Sequence, residues 1–141
     1  MRFLDANIFI YAYYKPKKTL TEKEAAMKEE AQKIISSVSE GKEQIVTSVV
    51  HVSETVNILK NGMPRDMLTH IILGLFMMDN VTILDVTKES YFAAVEMGDD
   101  YKLEPNDALA VDLMRQKGID EIYSFDDHFN KVEGITRLPF I

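Results

Sequence analysis

Apolar positions along the chain fall into two rhythms. Short apolar runs come at Phe3-Leu4, Ile45-Val46, Val81 with Ile83-Leu84, Ile122-Tyr123 and near Ile135 to Leu138, and between most of them apolar residues recur every three or four positions. The first rhythm suits buried strands and the second amphipathic helices. Phe3-Leu4 followed by Ile8-Phe9-Ile10-Tyr11-Ala12 predicts a strand that turns into a helix near Asn7, with Asp5 or Asn7 as its cap. Lys15-Pro16-Lys17-Lys18 breaks that helix. Thr21-Glu22-Lys23-Glu24 has capping-box spacing, and Met27, Ala31, Ile34, Ile35 and Val38 follow on one face, which predicts a helix ending near Gly41.

Gln44 to Thr47 reads as a second strand, Ser48 as a cap, and Val49 to Lys60 as a helix stopped by Asn61-Gly62. Pro64 suits the first turn of a helix to about Met78, Val81 to Leu84 is a third strand, and Thr87 caps a helix through about Asp99. Pro105 opens a helix that ends at Lys117-Gly118, Glu121 to Ser124 is a fourth strand, and a tail strand near Ile135 to Leu138 closes the chain. Strands separated by long helical stretches, with no hairpin signal between paired strands, predict a parallel sheet with helices on both faces, a three-layer α/β/α sandwich. No repeat, low-complexity tract or linker interrupts the pattern, so one domain over residues 1–141 is expected.

Composition narrows the function classes. The longest apolar run that glycine alone interrupts, Ile71 to Met78, is far short of the ~20 residues that span a bilayer, and charges at Arg2 and Asp5 precede any signal-type stretch. Neither a membrane span nor a secretory segment is expected. The lack of cysteine excludes disulfides, a thiolate zinc site and a cysteine nucleophile, and it suits a reducing compartment, so a cytoplasmic protein is expected. With 16 basic against 23 acidic residues the formal charge is −7, which disfavours avid nonspecific binding to nucleic acid. A local basic rim at Lys15, Lys17 and Lys18, or a bound metal, leaves room for specific contact.

In open parallel sheets, ligands bind beyond the carboxyl ends of the strands, where the strand order reverses. Four carboxylates are expected near that edge: Asp5 at the end of the first strand, Glu54 two turns into the helix after the second, Asp107 in the first turn of the helix before the fourth, and Asp126 just past the fourth. Each has an ordinary reading as a cap, a helix-dipole partner, a turn former or a solvated residue. Gathered from four elements they would repel one another unless a cation neutralised them, and an all-oxygen set suits a hard cation such as Mg²⁺ or Mn²⁺ rather than zinc. His51, His70 and His128 form no HExxH or HxxxH pair and read as surface or packing residues. Ser124 has no His–carboxylate relay that would make it a nucleophile.

Phe3-Leu4-Asp5-Ala6-Asn7, Thr47-Ser48 followed by Glu54, Asn106-Asp107-Ala108-Leu109-Ala110, and Ser124-Phe125-Asp126-Asp127-His128-Phe129 resemble, in order and spacing, the PIN-domain ribonucleases, and above all the VapC-type toxins of prokaryotic toxin–antitoxin pairs. The resemblance covers nearly the whole chain. It implies a sheet of order 3-2-1-4-5 and an acidic pocket that binds Mg²⁺ or Mn²⁺ and hydrolyses RNA. Asp5, Glu54, Asp107 and Asp126 match the acidic positions, and Asn7 and Ser124 match the polar companions that orient them. Ser124 stands where threonine is commoner, and the Ser-x-Asp spacing selects Asp126 over its neighbour Asp127. The resemblance also implies a homodimer that receives a small antitoxin whose tail covers the pocket.

Two other readings compete. A PIN scaffold could bind RNA or protein without cutting, although all four acidic positions are filled. A phosphoacceptor signalling module would use Asp85, after the third strand, as acceptor with Ser124 as hydroxyl partner, and would leave Glu54 and Asp107 unexplained. Between Met67 and Met78 nine of twelve residues are apolar, more than the roughly 100° stripe one core-facing side requires. Either that helix is enclosed within the monomer or its extra face meets another chain.

Overall fold

Phe3, Val46 and Ile122 lie side by side in three adjacent strands, and all three side chains point to the same face of one parallel sheet. Their chain neighbours Leu4, Ile45 and Tyr123 point to the other face, as the two-residue strand period requires. The computed structural model describes residues 1–141. Its strands are β1 (Arg2–Leu4), β2 (Ile45–Ser48), β3 (Val81–Leu84), β4 (Glu121–Tyr123) and β5 (Thr136–Leu138), in the order β3-β2-β1-β4-β5 and parallel throughout. The helices are α1 (Ala6–Tyr13), α2 (Glu22–Ser39), α3 (Val49–Leu59), α4 (Arg65–Met77), α5 (Lys88–Tyr101) and α6 (Pro105–Lys117).

The two sheet faces carry separate cores. On one side Phe3, Val46 and Ile122 pack with Ala94 of α5, Leu109 and Met114 of α6, and Phe129. On the other, Leu4, Ile45, Val81 and Tyr123 pack with Ile8 and Phe9 of α1, Ala31 and Ile34 of α2, and Leu75 of α4. Each fully buried Leu, Ile or Phe side chain contributes roughly 1.5–3 kcal/mol, so the three layers hold together chiefly through this apolar packing. The loop from α5 to α6 folds closely onto α5 because Gly98 has no side chain: a Cβ there would lie 2.7 Å from the Leu103 carbonyl oxygen.

Local signals set the element boundaries. Thr21 and Glu24 complete a reciprocal capping box at α2, Ser48 and Thr87 cap α3 and α5, and Pro105 occupies the first turn of α6. Pro64, expected inside the first turn of its helix, precedes it instead. The helix expected to stop near Asp99 continues to Tyr101 and ends on Lys102, in the left-handed region with φ 58°. A 3₁₀ turn over Asp127–Lys131, which no periodicity announces, is pinned by the buried Phe129. No helix is long and apolar enough to cross a membrane.

Only Leu68 and Leu75 of α4 are buried. Leu73, Phe76 and Met77 are exposed, Met77 by 82%, so the monomer does not enclose that helix.

Candidate active site

The strand order explains where the acidic residues meet. From β1 the chain goes to β2 and β3 on one side, then crosses to β4 and β5 on the other, which leaves a crevice beyond the carboxyl ends of β1 and β4. Asp5 follows β1 there and Asp126 follows β4. α3, leaving β2, brings Glu54, and the first turn of α6 brings Asp107. All four, with Asn7 and Asn106, line one cavity of about 510 Å³.

Asp5 is only 4% exposed and is held from two sides. Its Oδ1 accepts the Ala6 N–H at 2.8 Å, which caps α1, and its Oδ2 accepts the Ser124 hydroxyl at 2.7 Å. Ser124 Oγ in turn accepts the Asp126 N–H at 3.0 Å and an Asn7 amide N–H at 3.4 Å, while Asn7 Oδ1 accepts the Phe125 N–H at 3.2 Å. One hydroxyl therefore joins the ends of β1 and β4. Thr47 Oγ1 donates to the Leu4 carbonyl at 2.9 Å, and the buried Arg137 guanidinium donates to the Ser124 carbonyl at 3.1 Å, so both strand ends are anchored from outside the cavity.

Asp126 faces the cavity, whereas Asp127 is exposed in the 3₁₀ turn, as the Ser-x-Asp spacing predicts. Asp126 Oδ1 accepts the backbone N–H of His128 at 2.9 Å, and the ring Nδ1 of His128 lies 2.9 Å from the same oxygen. Donor atoms of Asp107, Asp126 and His128 lie within 4.8 Å of one another, and Asp5 and Glu54 line the same cavity as the two aspartates. Glu54 Oε1 accepts the Asn106 side-chain N–H at 3.0 Å. The sequence assigns Asn106 and Tyr91 no role and marks His128 as a surface or packing residue, whereas the exposed His128 stands beside Asp126. Asn106 adjoins Asp107 and His128 follows Asp126 by two, but only the fold shows which way they point.

Electrostatics follow from crowding. Burial pushes the Asp5 carboxyl up from 3.8 to about 6, against the lowering effect of its Ser124 and Ala6 hydrogen bonds. Asp107 is pushed up further, to about 8, by burial first and then by the charges of Asp5, Asp126 and Glu54. No hydrogen bond that favours the charged form offsets this at Asp107, and the hydrogen bond its protonated carboxyl makes to Asp126 raises it further. With all four carboxyls ionised, no hydrogen-bond donor reaches either oxygen of Asp107 or Oε2 of Glu54. That donor set, hard, anionic and short of positive charge, fits Mg²⁺ or Mn²⁺.

His51, expected as a surface or packing residue, is buried at the back of the site. Asp85 follows the edge strand β3, is exposed and does not line the cavity, which removes the phosphoacceptor reading.

Three solved structures share the fold. VapC20 of Mycobacterium tuberculosis, described as a sarcin–ricin loop cleaving toxin, aligns with TM-score 0.64 and 22% identity over 89% of this chain and 90% of that one. A toxin–antitoxin complex from Klebsiella pneumoniae gives 0.65 and 14% identity over 96% of each chain. VapBC2 from Rickettsia felis, bound to a DNA fragment from its promoter, gives 0.62 and 14% over 97% of this chain and 96% of that one. No curated protein sequence matches. The PIN domain family model matches residues 2–135, and with the 3-2-1-4-5 sheet it places the chain in the PIN domain family.

Proposed function

We propose that this chain is a divalent-cation-dependent endoribonuclease of the VapC type, the toxin of a toxin–antitoxin pair, hydrolysing RNA phosphodiesters in the cytoplasm. The observation that carries the reading is the convergence of Asp5, Glu54, Asp107 and Asp126 on one cavity, where burial and their mutual repulsion raise the Asp107 pKa to about 8. Like charges held this close favour a bound proton or a bound cation.

Asp5, Glu54, Asp107 and Asp126 would hold Mg²⁺ or Mn²⁺, and His128 stands beside Asp126. When bound, the cation lowers the pKa of water and offsets the negative charge that builds on the phosphoryl group. The residues supply the rest. Ser124 and Asn7 keep Asp5 and Asp126 in register, and a carboxylate not committed to coordination can orient the attacking water as general base. Lys17 and Lys18 line a groove of about 550 Å³ with Tyr14, and Ile10 and Ile58 line both that groove and the acidic cavity. This continuity supports a path for the RNA strand from cationic rim to acidic pocket.

The similar folds support the partners. Two of the three structures are toxin–antitoxin complexes, consistent with a small antitoxin here. A homodimer is supported by the exposed Leu73, Phe76 and Met77 of α4, beside a groove of about 640 Å³ lined by Val56, Leu68 and Ile72. The test is incubation of the purified chain with single-stranded RNA and Mn²⁺ or Mg²⁺. Cleavage that stops with chelator and returns with metal supports the reading, while RNA binding without cleavage would favour a non-cutting scaffold.

A further inference from the structure

Asn106 is gripped twice by one helix. Its side-chain N–H donates to Glu54 Oε1 at 3.0 Å, and its backbone carbonyl accepts from His51 Nε2 at 3.0 Å. His51 and Glu54 are three residues apart on α3 and so occupy the same face. Asn106 itself precedes Asp107 in the first turn of α6. The crossing of α3 and α6 is thus fixed at the point where each delivers a carboxylate to the cavity.

Every donor and acceptor in this series of bonds has a determined role. Glu54 is an acceptor when ionised, so Asn106 must turn its N–H₂ toward it. The Tyr91 hydroxyl, donating to Asn106 Oδ1 at 2.7 Å, holds the amide in that orientation. A backbone carbonyl can only accept, so the His51 proton sits on Nε2, and Nδ1 accepts from the Ser48 hydroxyl at 2.6 Å. Burial lowers the His51 pKa, which keeps the ring in this neutral form. Ser48 is the last residue of β2, so the series runs from the sheet to the acidic cavity.

We propose that Asn106, backed by Tyr91 and His51, is a positioning unit that fixes Glu54 against Asp107 and so sets how tightly the cavity holds a divalent cation. The inference rests on the cation reading above. An unrestrained glutamate must lose its side-chain freedom when it becomes a ligand, whereas Glu54 is already ordered with Oε2 left over. Partners behind metal ligands typically change affinity by about 10–100-fold when removed.

The experiment is calorimetric titration of the full chain with MnCl₂, for the wild type, Asn106→Ala, Tyr91→Phe, His51→Gln and His51→Leu. Asn106→Ala should weaken Mn²⁺ binding about tenfold or more, and Tyr91→Phe, which removes one oxygen and keeps the ring, should weaken it by about threefold. Glutamine can still donate to the Asn106 carbonyl and leucine cannot, so His51→Gln should keep affinity nearer the wild type than His51→Leu. If Asn106→Ala does not fold, Tyr91→Phe and the His51 pair decide. Wild-type affinity in Tyr91→Phe and equal affinity in the two His51 variants would overturn the positioning role while leaving the cation site intact. A wild-type chain that takes up no Mn²⁺ would overturn both.

Discussion

The Ser124 hydroxyl donates to Asp5 Oδ2 at 2.7 Å, joining residues 119 positions apart and tying the end of β4 to the end of β1. It is fully buried and also receives the Asp126 N–H, so its removal leaves Asp5 a buried carboxylate with one donor fewer. Ser124→Ala should therefore cost about 1–3 kcal/mol where Asp5 is ionised and less where it is protonated. Urea unfolding at about pH 8 and about pH 5 checks this through the change in midpoint. Equal losses at both pH values would show that the hydroxyl acts through packing and not through the Asp5 charge.

The crowded carboxyls give the cation-free protein a pH dependence of unusual sign. Asp5 and Asp107 have folded values of about 6 and about 8 against an ordinary 3.8, so the folded chain keeps protons that the unfolded chain has lost. Their contribution to stability is full below about 4 and is lost as pH rises through 6 and then 8. Thermal unfolding in chelator should show a midpoint that falls between about pH 5 and pH 8.5, and Asp107→Asn should flatten that fall. A midpoint that rises over this range, or a slope that Asp107→Asn leaves unchanged, contradicts the crowding.

Much of this was legible in the sequence because it depends on local pattern. Strand and helix order followed from periodicity, and Thr21, Ser48, Thr87 and Pro105 marked helix starts with residue types that serve that purpose. The strand order came from the resemblance, since periodicity cannot say which parallel strands are neighbours. Asp5, Glu54, Asp107 and Asp126 could be placed at one sheet edge because each stands a fixed distance from a strand end or helix start. The bonds of Asn106 to Glu54 and His51 were not legible, because they depend on how α3 crosses α6 between residues more than 50 positions apart. The apolar excess of α4 was visible, but only the fold shows that Leu73, Phe76 and Met77 remain uncovered.

That uncovered face predicts the assembly. At micromolar concentration the chain should sediment as a dimer, and Leu73→Lys or Phe76→Lys should shift it toward monomer while leaving the secondary structure unchanged, because both residues are already solvent-exposed. A wild-type chain that sediments as a monomer throughout that range removes the dimer.

The cationic rim predicts a salt effect. Lys15, Lys17 and Lys18 are exposed, and the latter two line the groove that runs into the acidic cavity. If they meet phosphates, replacing Lys17 and Lys18 with glutamine should flatten the dependence of RNA affinity on salt by about one unit of slope for each lysine–phosphate pair removed. An unchanged slope would leave them as solubilising residues.

The most direct test is cleavage of single-stranded RNA by the wild type, Asp5→Asn, Asp107→Asn and Asp127→Asn, each with Mn²⁺ and with chelator. Asp5→Asn and Asp107→Asn take a charge from the crowded cavity, so they should stay folded and lose cleavage, whereas the exposed Asp127→Asn should cut like the wild type. Chelator should silence the wild type and added metal should restore it. Wild-type cutting in chelator, or by Asp107→Asn, would show that cleavage does not depend on a cation held by these carboxylates.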